Sequence, residues 1–191
     1  MEALITSIDH AILLWIHETL RTDIGTHFWE EVTDLGNVGL MWILLSVSLC
    51  LFKKTRLVGL SALAAFVIDA FLTNGVLKHW MARPRPFITY EDIMPLIPPP
   101  TDFSFPSGHT TSSFAVAFVF FELLPKKLSI PALLVAAAIA FSRLYLGVHY
   151  PTDVLAGMFI GYIVSRIAIF LVRYLSSHSW RSDAAEDGKS E

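Results

Sequence analysis

Three short clusters hold the residues whose types and spacing could do chemistry, and that chemistry is the handling of a phosphate group. The first is Lys78, Arg83 and Arg85, in the stretch KHWMARPRPF. Arginine grips two oxygens of a phosphate as a fork, and lysine adds a point charge. The second is Pro106-Ser107-Gly108-His109, where a helix is expected to open. Free backbone N–H groups and the helix dipole favour an anion there, and Gly108 lets the backbone come close. Ser107 is also a natural N-cap, so its hydroxyl could bond within the helix instead. The third is Ser142-Arg143, then His149, then Asp153. Pro151 suits the first position of a helix, which puts Asp153 in the first turn, within reach of the His149 ring. An acceptor on one ring nitrogen leaves the other with a free lone pair.

Something must bring these distant clusters together, and the composition points to a membrane bundle. The 191 residues are 54% hydrophobic and 16% charged, with a mean hydropathy of +0.57. Soluble domains run nearer a quarter charged. The formal net charge of −3 offers no basic excess for nucleic acid. A single cysteine, Cys50, cannot form an internal disulfide. The N-terminus has no basic region ahead of its apolar residues, so insertion is expected to depend on internal spans.

Five segments are apolar enough to be membrane helices, at 36–52, 57–77, 108–124, 130–147 and 153–175. In residues 1–20, Leu4, Ile5, Ile8, Ile12, Trp15 and Ile16 recur at helical spacing among Asp9, His10, His17 and Glu18. That pattern predicts an amphipathic helix at the interface, with a sixth span there as the alternative. The expected fold is an all-α integral membrane bundle in one domain, 1–175: interfacial helices over 1–33, the bundle over 34–175, and a polar, disordered tail over 176–191. Lys53, Lys54 and Arg56, then Lys126 and Lys127, then Arg173 and Arg181 fall on one side of a five-span bundle. The positive-inside rule makes that side cytoplasmic. All three clusters then meet on the extracytoplasmic face of the cell membrane. Pro84 and Pro86 should keep Arg83 and Arg85 on an extended segment.

The clusters read K-x6-R-P over 78–86, P-S-G-H over 106–109 and S-R-x5-H-x3-D over 142–153. Together and in this order they resemble the type 2 phosphatidic acid phosphatase (PAP2) superfamily, without a departure. The resemblance implies that Lys78, Arg85 and Arg143 bind phosphate and that Ser107 and Gly108 form an oxyanion-binding turn. It implies further that His149 is a nucleophile forming a phosphohistidine, oriented by Asp153, and that His109 protonates the leaving oxygen. It implies a membrane lipid phosphate as partner and no metal or other cofactor. By analogy with small members of the family the expected substrate is undecaprenyl diphosphate, with phosphatidylglycerol phosphate and phosphatidate as alternatives. A non-catalytic lipid-phosphate binder or anion transporter is the alternative of another class.

Taken singly, each feature has a plain structural reading. His109 could serve a helix start, His149 and Asp153 could be an interfacial pair, and Lys78 and Arg143 could snorkel to headgroups. Arg83 lies in the variable stretch of its motif, as a contact to substrate or to headgroups. Asp69, mid-span, is expected to be protonated or bonded to a neighbouring helix, and Asn74 to orient Lys78. Gly157 and Gly161 are spaced for close helix packing.

Overall fold

The computed structural model describes the backbone of residues 2–187 and the side chains of residues 4–177. Among them every regular element is helical: α1 (Glu2–Leu20), α2 (Asp23–Asp34), a 3-10 turn (Asn37–Gly39), α3 (Leu40–Cys50), α4 (Arg56–Asp69) running into a π-helical stretch (Ala70–Leu77), α5 (Lys78–Met81), α6 (Pro86–Thr89), α7 (Gly108–Leu123), α8 (Lys126–Tyr145) and α9 (Pro151–Asp187). Four stretches are long and apolar enough to cross a membrane: Asp23–Cys50, Arg56–Thr89, Lys126–Tyr145 and Pro151–Ser177.

The expected third span, α7, has 16 residues and so a length of about 24 Å. It is the centre of the bundle. Residues Thr110 to Ala117, with Val119 and Phe120, are buried; the apolar half packs as core, and the hydroxyls of Thr110, Thr111, Ser112 and Ser113 are hydrogen-bonded, as buried polar groups must be. Its core partners are Trp42 of α3, Val58, Ala62 and Ala65 of α4, Ala136 and Ile139 of α8, and Val164 and Ala168 of α9. The outward faces carry Val67, Phe71, Leu134, Leu155, Phe159 and Phe170, all exposed. So much apolar surface would be a liability in water and is natural against lipid.

The seam between α7 and α9 depends on glycine. A methyl group on Gly161 would sit 2.8 Å from the Thr111 carbonyl oxygen and 2.9 Å from the Ala115 nitrogen. One on Gly157 would come within 3.1 Å of the Ser107 carbonyl oxygen. The close packing expected from the GMFIG stretch is therefore present, backbone against backbone.

Three local features differ from expectation. In α1, Leu4, Ile5, Ile8, Ile12 and Trp15 point outward, while Asp9 is only 1% exposed and faces the protein. Arg83 and Arg85 do lie on non-helical backbone, but Pro86 starts the one-turn helix α6 at its N1 position, where its missing N–H and fixed φ cost nothing. Finally, α9 stays helical to Asp187, because adding a residue to a formed helix is far easier than starting one. Of the segment 176–191, expected to be disordered, the last four residues lie outside the described ones.

Candidate active site

The ends of α5, α7 and α8 and the turn between α8 and α9 meet around a cavity of about 620 Å³. Lys78, Arg85, Gly108, His109, Arg143 and His149 all line it. Lys78 arrives at the end of the π-helical stretch. Such stretches often re-aim a side chain at a functional site, and here Asn74 faces the same cavity one turn earlier. A left-handed residue, Ala82 (φ 44°), ends α5. The chain then runs extended through Arg85 (φ −77°, ψ 158°).

The third cluster forms a compact hairpin. α8 ends at Tyr145, and Gly147 turns the chain with φ 73°. A side chain at Gly147 would meet the Met94 carbonyl at 3.0 Å, so glycine is required both for its conformation and for space. His149 follows at 2% exposure, with Asp153 fully buried in the first turn of α9. Arg85 Nη1 lies 3.3 Å from His149 Nε2 and also donates to the Val148 carbonyl at 2.7 Å. A guanidinium has only donors, so Nε2 presents its lone pair and the ring proton sits on Nδ1. Nδ1 lies 3.5 Å from Asp153 Oδ2. This is an ion-pair distance rather than a closed hydrogen bond, and Nδ1 is buried with no hydrogen-bond partner. Burial is the largest influence on the imidazole pKa and lowers it. Asp153 opposes that, Arg85 and Arg143 lower it further, and it settles at about 4. His149 is therefore neutral across the physiological range.

Arg143 is 3% exposed and donates from Nη1 to the Thr33 hydroxyl at 2.6 Å. Its Nε has no partner among the described groups. A buried, unpaired guanidinium N–H costs free energy unless an acceptor arrives. The other two cations are held by a residue that sequence reasoning missed. Asp102, on the loop before α7, bonds Lys78 Nζ through one carboxylate oxygen and Arg85 Nη2 at 2.5 Å through the other. Burial pushes the Asp102 carboxyl up, but Lys78 and then Arg85 overcome this and hold it at about 2.

His109 Nε2 lies 2.9 Å from Asn37 Oδ1. The Asn37 amide nitrogen donates to Asp34 Oδ1 at 2.7 Å, so its oxygen faces the ring and Nε2 carries the proton. Asn37 begins a strained turn in which Val38 has φ 54°, an outlier for a β-branched residue. The sequence marks this stretch only as a turn and cap; no signal pairs Asn37 with His109.

Two expected site residues stand back from the cavity. Ser107 occupies the N-cap of α7 but caps no backbone N–H; it is fully buried, and its Oγ accepts from Thr110 at 2.9 Å. Gly108 is the half-buried part of that turn that lines the cavity, and a Cβ there would sit 3.7 Å from Lys78 Nζ. Asp153 lies behind His149. Asp69 is buried on the cavity wall and accepts from the Thr73 hydroxyl at 2.8 Å. Among the described residues, no three His, Cys, Asp or Glu side chains group as a metal cage.

The profile of the family described as "PAP2 superfamily" matches residues 56–177. The chain is 36% identical over 129 residues to an undecaprenyl-diphosphatase of Sulfolobus acidocaldarius, covering 68% of this chain and 62% of that protein. It is 36% identical over 141 residues to phosphatidylglycerophosphatase B of Bacillus subtilis, covering 69% and 64% respectively. The matched regions thus span somewhat under two thirds of those relatives. The crystal structure of a transmembrane PAP2 type phosphatidylglycerolphosphate phosphatase from Bacillus subtilis superposes with a TM-score of 0.72 at 31% identity, over 93% of this chain and 88% of that one.

Proposed function

Because this chain belongs to the PAP2 superfamily, we propose that it is a metal-independent membrane lipid phosphatase working through a phosphohistidine. One observation carries the reading: the buried neutral imidazole of His149 lines a cavity shared with His109 and three cations, and its Nε2 lone pair faces one of them, Arg85, at 3.3 Å. The cavity already holds an anion of its own, the Asp102 carboxylate.

The reaction follows from this geometry. The terminal phosphate enters among Lys78, Arg85, Arg143 and the N–H groups at the start of α7. His149 Nε2 attacks phosphorus, and the P–O bond to the lipid breaks. His109, protonated on both ring nitrogens once the phosphate dianion is bound, gives one proton to the departing oxygen and is left neutral. Water then attacks the phosphohistidine, His109 takes a proton from it, and the P–N bond breaks to release inorganic phosphate. Charge on the equatorial oxygens grows toward the transition state, so fixed cations lower the barrier. Asp153 orients His149 and stabilises the imidazolium side of the ring as it bonds to phosphorus.

The same proposal places the protein in the cell membrane as one domain over 1–175, with α3, α4 and its π-helical extension, α7, α8 and α9 as five spans. α7 is enclosed by its neighbours and need not match the lipid thickness alone. α1 and α2 lie at the surface. Lys53 and Lys54 precede α4, Arg56 opens it, and Lys126 and Lys127 open α8, at the helix ends away from Lys78 and Arg143. With those basic residues in the cytoplasm, the cavity opens outside. The favoured substrate is undecaprenyl diphosphate, in line with the Sulfolobus relative. Phosphatidylglycerol phosphate is the second reading, favoured by the Bacillus structure.

Purified protein in detergent, given undecaprenyl diphosphate, phosphatidylglycerol phosphate and phosphatidate with a chelator present, should release inorganic phosphate. His149→Ala should abolish release and lose the labelled phosphoryl adduct. Turnover by His149→Ala at the wild-type rate, or no turnover by intact protein on any of the three, would overturn the proposal.

A further inference from the structure

Behind His149 lies a network that the reaction as drawn leaves unused. Asp9 of α1 is a carboxylate at 1% exposure. It accepts from Arg83 Nη2 at 2.7 Å, from the Thr152 backbone N–H at 3.0 Å and from the Thr152 hydroxyl. Arg83 Nη1 donates in turn to Asp153 Oδ1 at 2.6 Å and to Thr152 Oγ1 at 2.8 Å. Its guanidinium lies 3.8 Å over the Tyr150 ring, a cation–π contact that fixes its plane. The other Asp153 oxygen accepts from Ser104 Oγ at 2.5 Å and from the Tyr150 N–H at 3.0 Å, and this is the oxygen that faces His149 Nδ1. One guanidinium is thus shared between two buried carboxylates, one on α1 and one beside the reacting ring.

We propose that Asp9 and Arg83 are positioning residues for the His149–Asp153 pair, which makes α1 a working part of the active site. The inference rests on the reading of His149 as the reacting group. Buried carboxylates need partners, and Asp153 has two kinds: neutral donors on the oxygen nearest the ring and a full charge on the other. Arg83 draws Asp153's negative charge away from His149. Asp9 draws Arg83 back. The charge felt by the imidazole therefore depends on a residue of the N-terminal helix that never touches it.

The remaining charged groups around the ring are Arg85 on the extended segment, Arg143 on α8 and His109 on α7, with Asp102 bound to Arg85. None of them touches Asp9, so the effect of changing Asp9 can be separated from theirs. The two positioning residues should act with opposite signs. Arg83→Gln removes a positive charge, so His149 holds its proton more tightly and the acid limb of kcat/KM moves to higher pH. Asp9→Asn removes a negative charge and frees Arg83 for Asp153, so the limb moves lower. Each shift should be roughly 0.5–1 pH unit. Arg83→Lys keeps the charge and should restore most of the limb's position.

The test is the pH titration of the His149 ring by NMR on the full chain in detergent, beside the pH profile of phosphate release. Opposite shifts in Arg83→Gln and Asp9→Asn support the inference, whereas general loosening would lower the rate without moving the ring's titration. An unchanged ring titration in folded Asp9→Asn overturns it, and that variant decides alone if Arg83→Gln does not fold. The titration needs no turnover, so the two failures are distinguishable: opposite shifts in the variants of a protein whose wild type hydrolyses nothing would reject the functional reading, whereas unchanged titration in the Asp9→Asn variant of an active protein would reject this inference alone.

Discussion

The His149 ring divides the site into two unlike halves. In front, Lys78, Arg85 and Arg143 face a cavity, and the carboxylate between two of them is half exposed, with 50% of the Asp102 side chain open. Behind, Asp153, Arg83, Asp9, Thr152 and Ser104 form a closed set in which both carboxylates are essentially buried. The front has a spare donor, Arg143 Nε, and a replaceable acceptor. The back has no replaceable acceptor, and its one unbonded donor, His149 Nδ1, already faces Asp153 at 3.5 Å. The contrast teaches that the front is built to exchange partners and the back to keep them.

Changes behind the ring should therefore cost folding as well as rate, and changes in front mainly binding. The largest effect is expected for Asp153→Ala. Breaking a buried ion pair by removing one member costs about 3–5 kcal/mol, so thermal unfolding in detergent should fall sharply along with phosphate release. Full stability with lost activity would erase the distinction. Arg143→Lys comes next. Lysine cannot reproduce the guanidinium fork, and loss of a charge-assisted bond should weaken binding of inorganic phosphate about 10- to 100-fold, while the unfolding midpoint moves far less than in Asp153→Ala. The smallest effect is that of Asp102→Asn. Half-exposed ion pairs contribute about 0–1 kcal/mol, so freeing Lys78 and Arg85 should tighten inhibition by inorganic phosphate roughly two- to fivefold. Weaker inhibition in that variant would mean that Asp102 builds the front rather than yielding it.

Much of this was legible in the residues. Lys78, Arg85, Gly108, His109, Arg143 and His149 share one cavity as their motifs implied, and Gly157 and Gly161 pack as their spacing implied. These features are local or carry a recognisable spacing. What escaped is non-local. Asp102 meets Lys78 across a loop rich in proline, with no periodicity to give its direction. Asp9 sits in a helix whose apolar residues fit the membrane surface, and a single carboxylate there looks like an ordinary wet residue. Only the packing of α1 onto the start of α9 turns it inward. Arg83, read as a contact to substrate or headgroup, is instead held between two carboxylates. The Asn37–His109 bond depends on a left-handed valine that no propensity favours.

The glycine seam has a dynamic corollary. Where Gly161 abuts the Thr111 carbonyl and the Ala115 amide, α7, which carries Gly108, His109 and Ser112 into the cavity, is set backbone to backbone against α9, and small sliding of one past the other would create overlap. The strip of chain bearing Ile97, Pro98, Pro100 and Asp102 lines the same cavity without such a backbone seam. Any widening of the cavity is therefore easier along that strip than between α7 and α9.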